Sequence, residues 1–479
     1  MAPKNGIAAD LPPPTFDLEI WANHYENGPL LQLRLAHVAA RCPSLAHHAL
    51  TLALADAKKG KDVQIYNRLC DLAADLGLKD LGKQDTEWAS RKDEENRREL
   101  SRLESELRGY KNNLIRESIR MGQEELAMHH LLTGGPIPDP ANPQSLSSAG
   151  YNAAYQAFGK MRDFCTTPAH INSMTLRLIY TALLQAVTAQ QTGNSSSSMH
   201  FNSVIANSNR LRATGVKEEE QSKLTPMAHV VAGIAHMGIG EYRSAASAFL
   251  QTPFDYHNSG GIYNVDFERS VASANDVAIY GGLCALATMS REALIDDVLG
   301  GPFRAFLEQE PHMRKAIVLY TTAKYQACID TLRRYYSDWS LDVFLGAGGL
   351  STGSHVDRLF ARIRERSITA YFSSFSEVSL TSLASTFPPT SNAPDAMEAE
   401  VLNMIENGTL DARLDVVSGV LVAPQNDTRL ETHQNAQKAA QEVERTLLLR
   451  LHRVNMTLAG LEIPKAKGQW DGMRVGNGY

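Results

Sequence analysis

The chain has 479 residues, more than one hydrophobic core usually supports, so we expect two or three structural units. A hydrophobic content of 43% and a charged content of 21% are ordinary for a globular protein. The net charge of −6 disfavours a protein that binds nucleic-acid phosphates. The most apolar run, residues 278–289, is shorter than the ~20 residues of a membrane span. The composition therefore predicts neither a nucleic-acid-binding protein nor a membrane protein.

The N-terminal sequence predicts a short flexible leader over residues 1–15, because it is rich in proline and has no regular apolar spacing. It also lacks the apolar stretch that is typical of a secretory signal. The five cysteines are scattered along the chain, a pattern typical of reduced thiols rather than of disulfides or metal sites. We therefore expect the protein in the cytoplasm and nucleus.

Helical spacing of apolar residues dominates residues 16–345, which we predict to form a helical-repeat domain. Within it, residues 84–132 are predicted to form one long helical segment, with a possible break near Gly109 or Gly122. This segment is densely charged and carries a narrow apolar stripe. The stripe is compatible with a coiled-coil seam, but two heptads are fewer than a coiled coil normally shows. A solvated helix that packs one face on a neighbouring helix is the favoured interpretation.

Residues 228–249 are predicted to form a helical hairpin, because small residues on the first helix allow a second helix to approach closely. Gly238 and Gly240 are predicted to form the turn, and Tyr242 to open the second helix, which ends at Phe249. The same Gly…Tyr…Ala-x-x-x-Phe pattern recurs at residues 150–158, with a degenerate copy at 324–332. This pattern is typical of tetratricopeptide-like (TPR-like) repeats, which stack into a right-handed α-solenoid.

The pattern changes after a glycine-rich stretch at residues 346–353. Three helices followed by a β-hairpin are predicted over residues 354–425, and this is the order of elements in a winged helix. Two polar stretches earlier in the chain, 134–149 and 191–198, are predicted to be exposed loops.

A long final helix is predicted over residues 430–462, followed by a flexible tail at 463–479. Apolar residues recur along it at spacings of three and four, and a helix of this length would span ~48 Å. That is longer than the neighbouring winged helix is wide. Because a buried Leu or Val contributes ~1.5–3 kcal/mol, we expect helices of a partner to cover the stripe.

Two segments carry a family resemblance. Residues 275–287 (Asn-Asp-Val-Ala-Ile-Tyr-Gly-Gly-Leu-Cys-Ala-Leu-Ala) and residues 111–125 resemble the subunit 1 family of the COP9 signalosome, with its proteasome-lid paralogue as the nearest competitor. The resemblance extends over residues 16–463. It implies that the winged helix closes a PCI domain, a module shared by subunits of the proteasome lid, the signalosome and an initiation factor.

The resemblance implies a non-catalytic scaffold of the complex that removes a ubiquitin-like modifier from cullins and thereby regulates cullin-RING ubiquitin ligases. The implied partners are other PCI subunits and the metalloprotease-type subunits of that complex, with cullin-RING ligases contacted indirectly. The residues expected at interfaces lie on the hairpin and on the final helix: Val420, Leu421, Val422, Val443, Leu447, Leu451, Val454, Leu458 and Leu461. The alternatives are a proteasome-lid scaffold and a TPR-type adaptor that binds a peptide in its groove.

Catalytic and cofactor motifs are absent from the sequence. It contains no His-x-His and no His-Glu-x-x-His, and side chains adjacent on a helix, as in its two His-His pairs, diverge by about 100°. The glycine stretches at 238–240 and 346–353 contain no Gly-Lys-Ser/Thr sequence, which a phosphate loop requires. The third helix of the winged helix carries Asp395, Glu398, Glu400 and Glu406 and no Lys or Arg, which disfavours binding to DNA. We therefore predict no enzyme activity, no metal, no cofactor and no nucleic acid.

Overall fold

The computed structural model describes residues 16–137, 150–215, 217–258, 260–348, 353–388, 396–424 and 428–461. Its α-helices are α1 Leu18–His24, α2 Pro29–Arg41, α3 Pro43–Lys59, α4 Val63–Asp75, α5 Thr86–Asn112, α6 Arg116–Leu132, α7 Tyr151–Met161, α8 Pro168–Gln191, α9 Ser197–Ala213, α10 Glu218–Ile239, α11 Tyr242–Leu250, α12 Phe267–Ser270, α13 Ala274–Thr288, α14 Arg291–Ala293, α15 Arg304–Gln309, α16 Pro311–Thr321, α17 Tyr325–Arg333, α18 Tyr336–Ser340, α19 His355–Phe372, α20 Leu380–Thr386, α21 Ala396–Glu406 and α22 Thr428–Leu458. The strands are β1 Glu377–Ser379, β2 Arg413–Asp415 and β3 Val420–Val422.

Helices that follow each other in the chain pack against each other from α2 through α11 and again from α15 through α19, with α13 joining the two runs through α11 and α15. This order of contacts defines a solenoid, in which each helix buries apolar surface on its neighbours. The buried side chains form one continuous core that includes residues of both the solenoid and the winged helix. The predicted fold class, a helical solenoid followed by a winged-helix module, is confirmed. In the part of the chain that the structure describes, no helix is long and apolar enough to cross a membrane.

The hairpin predicted at residues 228–249 is formed by α10 and α11. Gly240 ends α10 in the left-handed conformation, with φ of 97°, as a C-terminal cap. The prediction for Gly238 is wrong, because this residue lies inside α10. A Cβ atom there would come within 2.5 Å of the Phe201 ring, so the glycine serves close packing between helices rather than a turn. Phe249 is fully buried, as the repeat pattern requires.

The segment 84–132 is two helices, α5 and α6, rather than one. The break lies at residues 113–115, where Leu114 has a φ of 54°, and not at Gly109 or Gly122. Gly122 lies within α6, where a Cβ atom would meet the Tyr110 ring at 2.9 Å. The two helices pack against each other, and Leu103 and Leu107 are the buried residues of α5. The solvated-helix interpretation therefore accounts for the narrow apolar stripe.

The N-terminal helices pack against the far end of the solenoid. The Arg34 side chain is 1% exposed, and its Nη1 donates to Oδ1 of Asp342 at 3.0 Å. Arg34 also donates to the carbonyl of Val271, and its guanidinium carbon lies 4.3 Å from the centroid of the Tyr25 ring. The contact between Arg34 and Asp342 thereby joins residues that are 308 positions apart in the chain. Asp342 lies shortly before the winged helix begins.

Two hydroxyl groups complete this buried arrangement, which we call the Arg34 cluster (Tyr25, Arg34, Asp276, Tyr280 and Asp342). Tyr25 donates to Asp276 at 2.6 Å, and Tyr280 donates to Asp342 at 2.8 Å. Burial raises the pKa of the Asp276 carboxyl, and the nearby Arg34 guanidinium opposes that rise. Asp276 and Tyr280 belong to the segment 275–287 that carries the family resemblance, so this segment supplies core polar contacts.

The winged helix consists of α19, β1, α20, α21, β2 and β3 in chain order. Its sheet has the order β1-β3-β2 with antiparallel pairs, and Val378 of β1 lies opposite Leu421 of β3. Strand β1 is absent from the sequence prediction because it pairs with β3, more than 40 residues further along the chain, rather than in a local hairpin. The predicted helices and hairpin are present, and the apolar face of α19 is buried through Val356, Leu359 and Ile363.

Candidate assembly surfaces

The last helix, α22, exposes its side chains to solvent along its whole described length. It has 31 residues and spans ~46 Å. The apolar residues predicted for an interface are between 54% and 81% exposed: Val443, Leu447, Leu451, Val454, Leu458 and Leu461. The first five recur every three or four residues and so share one face of the helix, a face we call the α22 stripe. Leu461 lies beyond the helix, because the helix ends at Leu458 rather than at the predicted residue 462 and Gly460 adopts the left-handed conformation. Covering the stripe would release on the order of 5–10 kcal/mol by the usual transfer free energies.

Such an exposed stripe is unusual for a stable monomer, because contiguous apolar surface of this size normally contacts another molecule. Within the residues that the structure describes, the solenoid and the winged helix leave all of these side chains accessible and offer them no apolar cover. That a partner covers the stripe stays a prediction. The exposure of these apolar side chains is the structural observation that supports it.

The β-hairpin contributes less than the sequence analysis expected. Leu421 is 0% exposed and lies in the core of the winged helix, so its assignment to an interface is wrong. The side chains of Val420 and Val422 are half-buried, since alternate residues of a strand point to opposite faces. Strand β3 is hydrogen-bonded to β1 on one side and to β2 on the other. The open edges of this sheet therefore belong to β1 and β2.

The acidic face of α21 is partly used inside the chain. Glu400 receives two hydrogen bonds from the Arg364 guanidinium, at 2.6 and 3.0 Å, and so contributes to the core between α19 and α21. Glu398 lies in the first turn and Glu406 at the end of α21, where Glu406 is exposed. Asp395 lies outside the described residues. The helix that would enter a DNA groove thus presents carboxylates to solvent and no cation.

The cysteine side chains are dispersed along the chain, and all of them except Cys165 are buried. In the ranges that the structure describes, no group of three or more His, Cys, Asp and Glu side chains is arranged to hold a metal ion. All five cysteines are free thiols. Burial raises the pKa of the Cys70, Cys165 and Cys284 thiols, and that of Cys328 to about 12. Since the thiolate is the nucleophile, these cysteines are poorly suited to covalent catalysis.

The Arg34 cluster was not predicted from the sequence. The available signal was a single arginine inside an otherwise apolar run, Leu33-Arg34-Leu35, at a position where helical spacing predicts a core residue. A buried arginine needs a carboxylate partner, but the sequence does not indicate which of many acidic residues it is. The Arg34 cluster is a structural centre that holds the N-terminal helices, rather than a reaction site.

Comparison with protein families gives two matches. The family described as 26S proteasome subunit RPN7 matches residues 85–135 and 147–297. The PCI domain family matches residues 331–425. The first match covers the middle of the solenoid, and the second covers its last helices together with the winged helix.

Curated relatives extend the similarity over almost the whole chain. The COP9 signalosome complex subunit 1 of Emericella nidulans is 38% identical, over 94% of this chain and 84% of that protein. The proteins of the same name from Neurospora crassa and Arabidopsis thaliana are 33% and 28% identical. These two alignments cover 90% and 92% of this chain, and 88% and 89% of the relatives. With its solenoid, its PCI domain and this similarity, the chain belongs to the COP9 signalosome subunit 1 family.

Proposed function

We propose that this chain is a non-catalytic scaffold subunit of a COP9 signalosome, and that its assembly role depends on the α22 stripe. The stripe is the observation that carries the proposal, because these Leu and Val side chains are exposed and the described part of the chain gives them no apolar cover. Helices of other PCI subunits would supply that cover in a shared bundle. The open sheet edges at β1 and β2 offer a second contact to neighbouring winged helices.

Placed in this way, the chain would support the removal of the ubiquitin-like modifier from cullins without catalysing it. The complex's metalloprotease-type subunits would hydrolyse the bond, and the chain would contact cullin-RING ligases indirectly. We expect the complex that contains this chain to act on cullins in both the cytoplasm and the nucleus. The absence of catalytic motifs in the sequence and the buried cysteines support a structural role. The domain boundaries predicted from the sequence remain part of this proposal.

The assembly role is tested by placing charges in the stripe. Leu447→Glu with Leu451→Glu should leave the chain folded, because neither side chain belongs to its core. In the complex, however, two unpaired carboxylates in a dry seam would cost several kcal/mol. When the other subunits are co-expressed, the double variant should elute from size exclusion outside the complex.

The matched control is Leu449→Glu with Met456→Glu, which makes the same chemical change on the opposite side of α22. These side chains are also about half exposed. The control should still assemble, and both variants should show the circular dichroism of the parent chain. Normal assembly of the stripe variant, or equal loss of both variants, would contradict a seam along the stripe.

The proposal that the chain is not itself a catalyst is tested separately. Purified chain incubated with a neddylated cullin should leave the substrate intact by gel electrophoresis, with and without added zinc. Zinc-dependent cleavage by the isolated chain would refute the scaffold assignment, because the chain would then contain a metalloprotease site.

A proteasome-lid scaffold is the second candidate, favoured by the match of residues 85–135 and 147–297 to the RPN7 family. Purification of the tagged chain from its own cells distinguishes the two. Signalosome subunits should accompany it in stoichiometric amounts, whereas recovery with the other proteasome-lid subunits would support the second candidate.

A further inference from the structure

A second surface lies between the solenoid and the winged helix, and no residue of α22 lines it. It is a half-open cleft of about 970 Å³, within the range of pockets that bind small molecules and peptide side chains. One side is formed by the α16–α17 hairpin, with Tyr320 and Tyr325. The other is formed by α19 and the residues after it, where Phe375 is 45% exposed. We call this region the α19 cleft.

Three arginines line the α19 cleft: Arg291, Arg362 and Arg366. In the described part of the chain, none of them is in an ion pair with a carboxylate. The Arg362 guanidinium lies over the Tyr242 ring, 4.9 Å from its centroid, and Arg366 donates to the carbonyl of Met289.

These contacts orient two of the guanidinium groups without neutralising them. Several other arginines form ion pairs, for example Arg364 with Glu400. Glu365 is the single carboxylate among the residues that line the cleft. A cavity lined by three arginines and one carboxylate, in a chain of net charge −6, is therefore a locally positive site.

We propose that the α19 cleft binds an acidic peptide segment of another protein. Guanidinium groups bind carboxylates through paired hydrogen bonds, and Arg362 and Arg366 are one helical turn apart, so they can contact successive carboxylates of an extended peptide. The aromatic groups of Tyr371 and Phe375, whose ring centroids are 5.0 Å apart, would receive an apolar side chain of the same segment.

A polynucleotide fits the same surroundings less well. The exposed carboxylate of Glu406 belongs to the same winged helix and would repel a long phosphate backbone, which extends beyond the cleft. A short acidic peptide places its charge only where the arginines lie. The proposal does not depend on the α22 stripe, and failure of either leaves the other standing.

The test measures binding of a fluorescein-labelled hexapeptide, Glu-Asp-Glu-Phe-Asp-Glu, to the full chain by fluorescence anisotropy. The neutral counterpart, Gln-Asn-Gln-Phe-Asn-Gln, measures what the charge contributes. The acidic peptide should bind saturably at low ionic strength, at least about tenfold more tightly than the neutral one, and more weakly as salt is added.

Charge reversal locates the site. Arg291→Glu with Arg362→Glu should weaken binding of the acidic peptide at least about tenfold. The matched control, Arg97→Glu with Arg108→Glu, changes the net charge equally on α5, whose exposed arginines face away from its contacts with α4 and α6. It should change binding by less than about twofold.

Since Arg362 contacts Tyr242, Arg291→Glu alone is measured as well, because the Arg291 side chain is exposed. It should weaken binding by several-fold with an unchanged melting midpoint. The proposal is overturned if the neutral peptide binds equally well or the cleft variants bind like the control. Equally, it fails if a twelve-residue oligo-dT binds more tightly than the peptide and loses that binding in the cleft variants.

Discussion

The Arg34 cluster gives the sharpest test of how this chain is held together. Replacing Arg34 by Met keeps an unbranched side chain, although a shorter one, and removes the guanidinium group with its charge. The variant loses the hydrogen bonds to Asp342 and to the carbonyl of Val271, together with the contact over the Tyr25 ring. The Asp342 side chain is only 14% exposed, so its carboxylate would remain largely desolvated and without its cation.

Breaking one partner of a buried ion pair costs ~3–5 kcal/mol, much more than the pair itself contributes when both partners are removed together. We therefore expect Arg34→Met to destabilise the chain by about 3 kcal/mol or more. Asp342→Asn alone leaves Arg34 unpaired and should also be costly. The double variant should be less destabilised than the sum of the two, by about 1–3 kcal/mol.

Urea unfolding followed by tryptophan fluorescence measures this cycle, because Trp339 is buried close to the Arg34 cluster, in α18. Arg102→Met on α5 is the control. Its guanidinium forms ion pairs with Glu99 and Glu106 on the helix surface, and its loss should leave the unfolding midpoint unchanged. Additive single effects, or a change below about 1 kcal/mol for Arg34→Met, would refute the view that this buried pair joins the two ends of the solenoid.

Three further predictions concern packing and pH. Phe249→Ala removes a fully buried ring and should cost ~3–5 kcal/mol, seen as a large fall in the unfolding midpoint. Gly233→Ala places a Cβ atom 2.6 Å from that ring and should cost ~1–3 kcal/mol, and Phe249→Leu in the same chain should recover part of the loss. Burial lowers the pKa of His355 to about 3 and of His37 to about 4, so both must stay neutral in the folded chain. Stability should be complete above pH ~6.5, the unfolded value, and decline as the pH falls toward the folded values, by a smaller amount in His355→Gln.

The sequence by itself determined the helices, the repeat hairpin and the exposed stripe of the last helix. These features depend on spacing within one helix, and a helix repeats every 3.6 residues whatever surrounds it. The tight turn at Gly240 is of the same kind, because its positive φ favours glycine locally. The family resemblance at residues 275–287 was also visible in the sequence, although the role of Asp276 and Tyr280 in the Arg34 cluster was not.

Only the tertiary structure decided which residues meet across long separations in the chain. It paired Arg34 with Asp342, placed Leu421 in the core by adding β1 to the sheet, and brought Arg291 beside Arg362 and Arg366. None of these contacts follows a period, because each depends on how successive helices stack and turn. Local spacing states which face of a helix is apolar, whereas burial and charge pairing depend on what the rest of the chain places against that face.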